Sequence, residues 1–456
     1  MFQQCKAYLQ TYTDAATLSF FRVTFGFMMF FSLIRFAYNG WIETFYITPK
    51  FHFTYYGFSW VKPLGVYTYL FFIVCALAAL MVAVGYKYKW AISTFFISFT
   101  YIELIDKTYY LNHYYFISVI SFVLIFLPAS CYFSVDANRN PKEFRRKIPK
   151  YTIDVLKALL AIVYIYAGLA KLNSDWLLKA MPLKIWLPAN ADLPLIGSFL
   201  SKEWVAYAFS YFGALYDLGI IFLLLFKRTR LLGFVLVVIF HLLTRLLFPI
   251  GVFPFIMIVS SLLFFSSSFH HVCLDAINKI FGRFAFRAPS TKATMEEELT
   301  KMTKVRPIIL GVFLLFQLLI PFRYLMYPNE LFWTEEGYRF SWRVMLMEKA
   351  GYAQFTVSDT ATNTFKIIDN TKYLTRYQEK QMSFQPDFIL EYAQFLYSKY
   401  KKKGMVDPVV RVESYVSLNG RLSAPYINPN INLAKENESF KVKSWILPFK
   451  DTIWGF

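Results

Sequence analysis

Lys171 is the residue whose placement first suggests chemistry. It closes an apolar run in Tyr166-Ala167-Gly168-Leu169-Ala170-Lys171-Leu172-Asn173-Ser174-Asp175-Trp176. A lysine at the edge of an apolar layer has two readings. It can snorkel, with its stem among apolar groups, its ammonium in the headgroups and Trp176 as an interface anchor. Alternatively, desolvation can favour its neutral amine, which then takes a proton from a bound molecule. Three further polar groups stand in apolar surroundings. His113 follows Asn112 at the start of one run, His241 sits inside another with Arg245 one turn later, and Asp217 lies within Leu215-Tyr216-Asp217-Leu218-Gly219. Such groups are costly in a membrane, so each is a functional candidate. Each also has a plainer role, since a lone histidine serves as an interhelical hydrogen bonder. Asp217 reads as bonded to a neighbouring helix. His270-His271 is an adjacent pair whose side chains diverge on a helix, and no metal site is expected.

The elements that must position these groups follow from composition. The chain has 456 residues, 57% hydrophobic and 17% charged, with a mean hydropathy of +0.40. Soluble domains average about 45–50% apolar and about 25% charged, so the excess exceeds the needs of one soluble core and excludes disorder. The net charge is +19. Residues 326–456 hold 17 Lys/Arg against 14 Asp/Glu, and the first 325 hold 31 against 15. The basic excess therefore lies between apolar runs, as in cytoplasmic membrane loops, and does not suggest a nucleic-acid-binding face. The cysteines are Cys5, Cys75, Cys131 and Cys273, with no CxxC, which argues against a zinc ribbon or a disulfide framework.

A helix crossing the hydrocarbon layer needs about 20 residues. Candidate spans lie near 15–37, 66–85, 90–106, 112–129, 153–170, 204–226, 231–248, 252–268 and 305–325. The first is too long for a signal-peptide core and reads as an uncleaved span. Pro249-Ile250-Gly251 allows either a tight turn or a re-entrant break. Four basic segments test the count: Lys87 and Lys89, Arg139 to Lys147, Lys227 to Arg230, and Lys279 to Arg306. With nine spans all four fall on one side, which the positive-inside rule makes cytoplasmic. The expected fold is an all-α polytopic membrane protein of about nine transmembrane helices over residues 1–325, with the N-terminus inside. A small α+β extracytoplasmic domain follows over residues 326–456. In it Gln354–Ser358 and Thr364–Ile368 read as a hairpin, and Pro386–Lys402 as an amphipathic helix stopped at Gly404. Val409–Leu418 reads as a strand ending in an Asn419-Gly420 turn.

Several motifs in order carry a family resemblance. They are Asp106-Lys107 with Asn112, His113 and Tyr115, then Tyr132-Phe133-Ser134-Val135-Asp136, then Ala167, Gly168, Lys171, Leu172, Asp175 and Trp176. His241 with Phe248, Ile250, Gly251 and Phe253 comes next, and last Trp333-Thr334, Gly337-Tyr338 and Ser341-Trp342. Together they resemble the vitamin K-dependent γ-glutamyl carboxylase family, whose bacterial members share the HTTM domain, here as a short bacterial-type homologue. The segment Arg343-Val344-Met345-Leu346-Met347 departs from the animal pattern, which is more acidic and contains histidine.

The resemblance implies an integral membrane enzyme. It would couple oxygenation of reduced vitamin K to its epoxide with carboxylation of glutamate in a peptide or protein, with O2 and CO2 as co-substrates and no metal. Lys171 matches the family's catalytic base and His113 an important histidine. His241, Asn112, Tyr115 and Trp176 would line the quinol site, and Trp333, Tyr338, Ser341 and Trp342 the glutamate side. The active site would face the extracytoplasmic side of a bacterial plasma membrane. Two other classes stay open: a quinol-epoxidising oxidoreductase that carboxylates nothing, and a non-enzymatic membrane scaffold or transporter. A transporter would be expected to show repeated halves or broken helices at the midplane.

Overall fold

A computed structural model describes residues 2–281, 305–359, 361 and 364–456. Much of the basic stretch from Lys279 to Arg306 lies outside the described residues. The apolar runs form helices α1 (Ala16–Tyr38), α2 (Thr68–Val84), α3 (Tyr88–Ile105), α4 (Asn112–Ile125), α5 (Tyr151–Leu169), α6 (Glu203–Leu225), α7 (Arg230–Leu247) and α8 (Phe253–Ser261). After them come α9 (Ser267–Phe281) and α10 (Val305–Leu319). Among the described residues six helical segments are long and apolar enough to cross a membrane: Ala16–Tyr38, Gly65–Val84, Tyr151–Leu169, Glu203–Leu225, Arg230–Leu247 and Val305–Met326. The structure therefore supports a multi-pass membrane protein on six such helices, fewer than the nine spans expected. The other expected spans are weaker. α3 carries Lys89 and Glu103. α4 has 14 residues and so rises about 21 Å, less than the roughly 30 Å hydrocarbon layer. Phe253–Phe264 is likewise short.

Close helix contacts set the register of the bundle. A Cβ at Gly26 of α1 would meet the Ala83 nitrogen of α2 at 2.5 Å, and one at Gly168 of α5 would meet the Leu218 nitrogen of α6 at 2.9 Å. The second contact brings the end of α5 alongside the middle of α6. Pro249-Ile250-Gly251 resolves as a turn between α7 and α8, with Gly251 at φ +61°.

Contacts divide the bundle into two ends. At one end strand β1 (Tyr12–Asp14) pairs with β2 (Lys147–Pro149), His271 meets Asp14 at 3.0 Å, and the Tyr132–Asp136 motif is structural. There the Asp136 carboxylate accepts the Lys87 and Tyr88 N–H groups that open α3. The buried Arg22 guanidinium donates to the carbonyls of Ala129, Val82, Ala83 and Phe133.

At the other end the residues after 326 build an antiparallel sheet against the bundle. Its order is β4 (Thr364–Ile367), β3 (Lys349–Asp359), β5 (Pro408–Leu418), β6 (Ala424–Pro425). The expected hairpin is present, with Thr356 opposite Ile367. Asn419 and Gly420 both have positive φ, +50° and +76°, as a tight turn after β5 requires. Helix α11 (Arg376–Met382) precedes α12 (Pro386–Lys402). α12 buries Phe388, Tyr392 and Leu396, while Phe395 is half-buried against the same core. That core also takes in Phe53, Trp176 and Leu247 from the helical part. Asp106 and Lys107 act at this junction. Lys107 Nζ lies 2.8 Å from Asp387 and 3.0 Å from Glu391 of α12, and Asp106 accepts from Gln378 of α11.

Candidate active site

Lys171 follows the last turn of α5 and turns back. Its Nζ donates to Asp217 Oδ2 of α6 at 2.7 Å and to the Ala167 carbonyl at 3.2 Å. Both side chains are buried. Asn173 caps the short helix Ser174–Lys179 through the Trp176 N–H. That cap aims Trp176 inward, where its ring centre lies 5.3 Å from Nζ and its indole N–H donates to the Ser210 carbonyl at 2.8 Å. Next to Trp176, Asp175 holds the outer sheet in place. Arg421 grips both of its oxygens at 2.6 and 2.7 Å, and Asn419 donates at 2.9 Å. Burial alone would raise the Asp175 carboxyl, but Arg421 and Asn419 hold it below the usual carboxylate range.

Lys171, Asp217 and Trp176 line an inner chamber of about 90 Å3, together with His241 and the rings of Phe209 and Phe240. His241 Nε2 lies 3.0 Å from the Tyr164 hydroxyl, itself 3.4 Å from that of Tyr216. His241 Nδ1 is buried without a hydrogen-bond partner. An outer chamber of about 650 Å3 adjoins it, lined by Asn112, His113, Tyr338 and Arg343 among others. Trp186, Phe248, Ile250, Phe253, Val344 and Met345 belong to both walls. The ring centre of Phe253 lies 5.8 Å from that of His113 and 5.4 Å from that of His241. His113 Nε2 is buried and unpartnered, and a Cβ at Gly251 would approach it to 3.4 Å. Asn112 Nδ2 donates to the Arg343 carbonyl at 3.1 Å, and its Oδ1 accepts from Tyr110 at 3.0 Å.

Buried polar atoms without partners cost about 1–3 kcal/mol each, so His241 Nδ1 and His113 Nε2, on residues that line two adjoining cavities, make those cavities a candidate site for a ligand. Of the residues expected from sequence, the structure brings Lys171, Trp176 and His241 to the inner chamber, and Asn112, His113 and Tyr338 to the outer one. The others lie elsewhere. The Tyr115 hydroxyl donates to Gln317 at 2.9 Å, and its ring lies 5.0 Å from that of Trp342. Trp342 also packs on Phe116 at 5.9 Å. Ser341 Oγ bonds the Gly337 carbonyl at 2.6 Å. Trp333 is buried in the outer core, and its carbonyl accepts from Lys349 and Tyr426. Tyr115, Trp333, Ser341 and Trp342 thus line neither cavity; the side-chain polar atoms of the first three are bonded within the fold, and Trp342 Nε1 is buried without a partner.

Sequence reasoning did not foresee that Asp217 pairs with Lys171. It also missed Tyr164 behind His241 and the ring of Trp186. Asp217 carried a signal as an acid in an apolar span, Phe248 as part of the motif with His241, and Arg343 as the first residue of the departing segment.

Residues 11–269, more than half of the chain, match the HTTM domain. Residues 302–452 match the lumenal domain of vitamin K-dependent gamma-carboxylase. No solved structure matches the chain. With both parts of the family's architecture matched in order, the chain belongs to the vitamin K-dependent gamma-carboxylase family.

Proposed function

We propose that this chain is a γ-glutamyl carboxylase that uses reduced vitamin K, oxygen and carbon dioxide, with its active site in the two joined chambers. The observation that carries this reading is the buried Lys171–Asp217 pair in an apolar cavity that shares Phe253 with the chamber lined by His113. The inner chamber, at about 90 Å3, would take the reacting edge of a hydroquinone, with the rest of the molecule extending into the outer chamber of about 650 Å3. Rings of Trp176, Phe209, Phe240 and Phe253 offer stacking faces, Lys171 Nζ offers one polar contact and the unpartnered His241 Nδ1 another. When bound, reduced vitamin K with oxygen supplies the basicity that removal of glutamate's γ-hydrogen demands.

The chain's own residues do the rest. Lys171 and Asp217 hold a proton between Nζ and Oδ2 over 2.7 Å. With that proton on Asp217, Lys171 is a free amine and accepts a hydroxyl proton from the bound hydroquinone. With it on Lys171, Asp217 balances the ammonium. Phe253, Phe248 and Trp186 between the chambers exclude water, which would otherwise return a proton to the glutamyl carbon before carbon dioxide reached it. His113 Nε2 and Asn112 orient the glutamyl side chain in the outer chamber.

In this reading residues 1–325 form the membrane part with nine crossings and the N-terminus inside, and residues 326–456 form the extracytoplasmic part. The gathering of β1, β2 and His271 at one end, and of Lys107, Lys171 and the outer sheet at the other, supports an odd number of crossings. The test is purified protein in lipid nanodiscs with reduced vitamin K, oxygen, labelled bicarbonate and a short glutamyl peptide. Label in the peptide together with vitamin K epoxide is expected. Epoxide without label would instead establish the oxidoreductase reading, and neither product would sink both.

A further inference from the structure

The turn from Lys171 to Trp176 joins two helices, and its main chain needs partners from elsewhere. α5 ends at Leu169, and the next helix begins at Ser174. The Leu172 carbonyl and the Ser174 N–H therefore fall outside both helical ladders. Trp454-Gly455-Phe456, 280 residues further along, supplies their partners. The Phe456 N–H donates to the Leu172 carbonyl at 3.0 Å, and the Ser174 N–H donates to the Trp454 carbonyl at 2.7 Å. The Trp454 N–H donates in turn to Ser174 Oγ at 3.0 Å. Between these bonds Asn173 and Gly455 face each other as an antiparallel bridge.

The approach is close enough to require glycine. Gly455 has φ +120°, and a Cβ there would meet the Leu172 carbonyl oxygen at 2.1 Å and the Asn173 Cα at 2.7 Å. The Phe456 ring anchors the segment, its centre 5.9 Å from that of Phe322 and 5.8 Å from that of Tyr324. Both belong to Ile320–Met326, which continues from α10. Trp454, by contrast, is 73% exposed, so what the segment offers the turn is main chain held at a fixed distance. Arg421 and Asn419 hold the same turn at Asp175 through side chains. Trp454–Phe456 holds it at Leu172, next to the lysine.

We propose that Trp454–Phe456 is a positioning strap for Lys171, with Gly455 the residue that lets it seat. It acts through Leu172 on Lys171 and through Asn173, whose side chain accepts the Trp176 N–H, on Trp176. A turn free to shift by about 1 Å would carry both groups out of register with a bound molecule, and such a misplacement can cost about 100-fold in rate. The assignment rests on the reading of Lys171 as the base.

The experiment measures epoxide formation against quinol concentration for Gly455→Ala in the full chain in nanodiscs, normalised to folded protein. The added Cβ cannot coexist with the Leu172 carbonyl, so the strap should lift. The kcat should fall about tenfold or more while KM for quinol stays within about twofold, the pattern of a contact needed for reaction and not for binding. A merely structural segment would lower the thermal midpoint and leave the folded protein with wild-type kcat. That result, or a rise in KM at unchanged kcat, overturns the proposal. Ser174→Ala removes only the bond from the Trp454 N–H and decides the matter if Gly455→Ala does not emerge folded. It should lower kcat about threefold, the value of one hydrogen bond, and Ser174→Thr, which keeps the hydroxyl, should restore it. Wild-type kcat in Ser174→Ala overturns the strap and leaves Lys171 as the base. Wild-type epoxidation by Lys171→Arg overturns the base reading and the role of the strap with it.

Discussion

Lys171 and Asp217, 46 residues apart in sequence, meet at 2.7 Å inside an apolar cavity. The meeting depends on Gly168, one turn before Lys171, where only a missing Cβ lets α5 lie against the Leu218 backbone of α6. A snorkelling lysine would extend toward headgroups. Lys171 instead folds back along its own helix to the Ala167 carbonyl and across to Asp217. The observed direction favours a task inside the chamber.

That task can be separated from simple anchoring by Lys171→Arg. Arginine keeps the charge and can still pair with Asp217, but it does not give up its proton in a protein. The variant should insert normally and lose epoxide formation by about 100-fold or more, the usual contribution of a positioned base. Chromatography of the quinone products measures it. Wild-type epoxidation by Lys171→Arg would remove Lys171 as the base.

Asp217→Asn leaves the buried ammonium without its partner. The expected loss of stability is about 3–5 kcal/mol, read from thermal unfolding in detergent. Replacing both groups, Lys171→Met with Asp217→Met, removes the charges together and should restore most of that stability with no activity. If the double variant is as unstable as Asp217→Asn, the loss comes from packing and not from an isolated charge.

The apolar runs of the bundle were legible because a membrane core demands long uncharged helices, and α12 was legible because Phe388, Tyr392 and Leu396 recur on one face. Pairings across the fold were not. No spacing links Asp217 to Lys171, and Arg343 looked only like a departure from a pattern. Trp333, Ser341 and Trp342 looked like binding residues because their motif resembles the family's glutamate-side segment. The chain at Gly337 crosses against the Tyr324 backbone, where a Cβ would come within 2.8 Å. Within this segment Tyr338 and Arg343 line the outer chamber, while Trp342 packs on α4. Asp106 and Lys107, next to Asn112 and His113 in one motif, divide by role: the first two dock the outer sheet's helices, the second two line the chamber.

The crossing number can be tested with single cysteines on a background without native ones. Ser398 is exposed on α12 and Asn140 is exposed near the opposite end of the bundle. Ser398→Cys should react with an impermeant maleimide applied to intact cells, and Asn140→Cys should react only after lysis. Reversed labelling would invert the orientation, and labelling of both from outside would refute an odd number of crossings.

Acid should loosen the junction between bundle and outer sheet. Burial alone would raise the Asp387 carboxyl, but Arg339 and Lys107 hold it below the usual range. A carboxyl depressed in the fold contributes stability above its unfolded value of about 3.9, and that contribution disappears as pH falls through the folded value. Asp175, held down by Arg421 and Asn419, acts in the same direction. Thermal stability should therefore fall as pH drops below about 4. Asp387→Asn should be less stable at neutral pH and show a shallower acid slope. An unchanged slope would place the acid-sensitive contact elsewhere.

The two histidines should respond differently to replacement, because their bonds differ. His241 is tied to Tyr164 at 3.0 Å, so His241→Ala removes a buried partner as well as a candidate ligand group, and stability should drop by about 1–3 kcal/mol along with activity. His113 Nε2 has no partner to lose, and its ring lies against Tyr114 and Phe253 at 4.5 and 5.8 Å. His113→Phe keeps those ring contacts. It should unfold within a few degrees of wild type and yet lose carboxylation of a glutamyl peptide by about 100-fold or more. Stability is read from thermal unfolding and activity from label incorporated at fixed quinol. A His113→Phe protein that carboxylates at the wild-type rate would show that the unpartnered nitrogen meets no substrate, and the outer chamber would lose its assigned role.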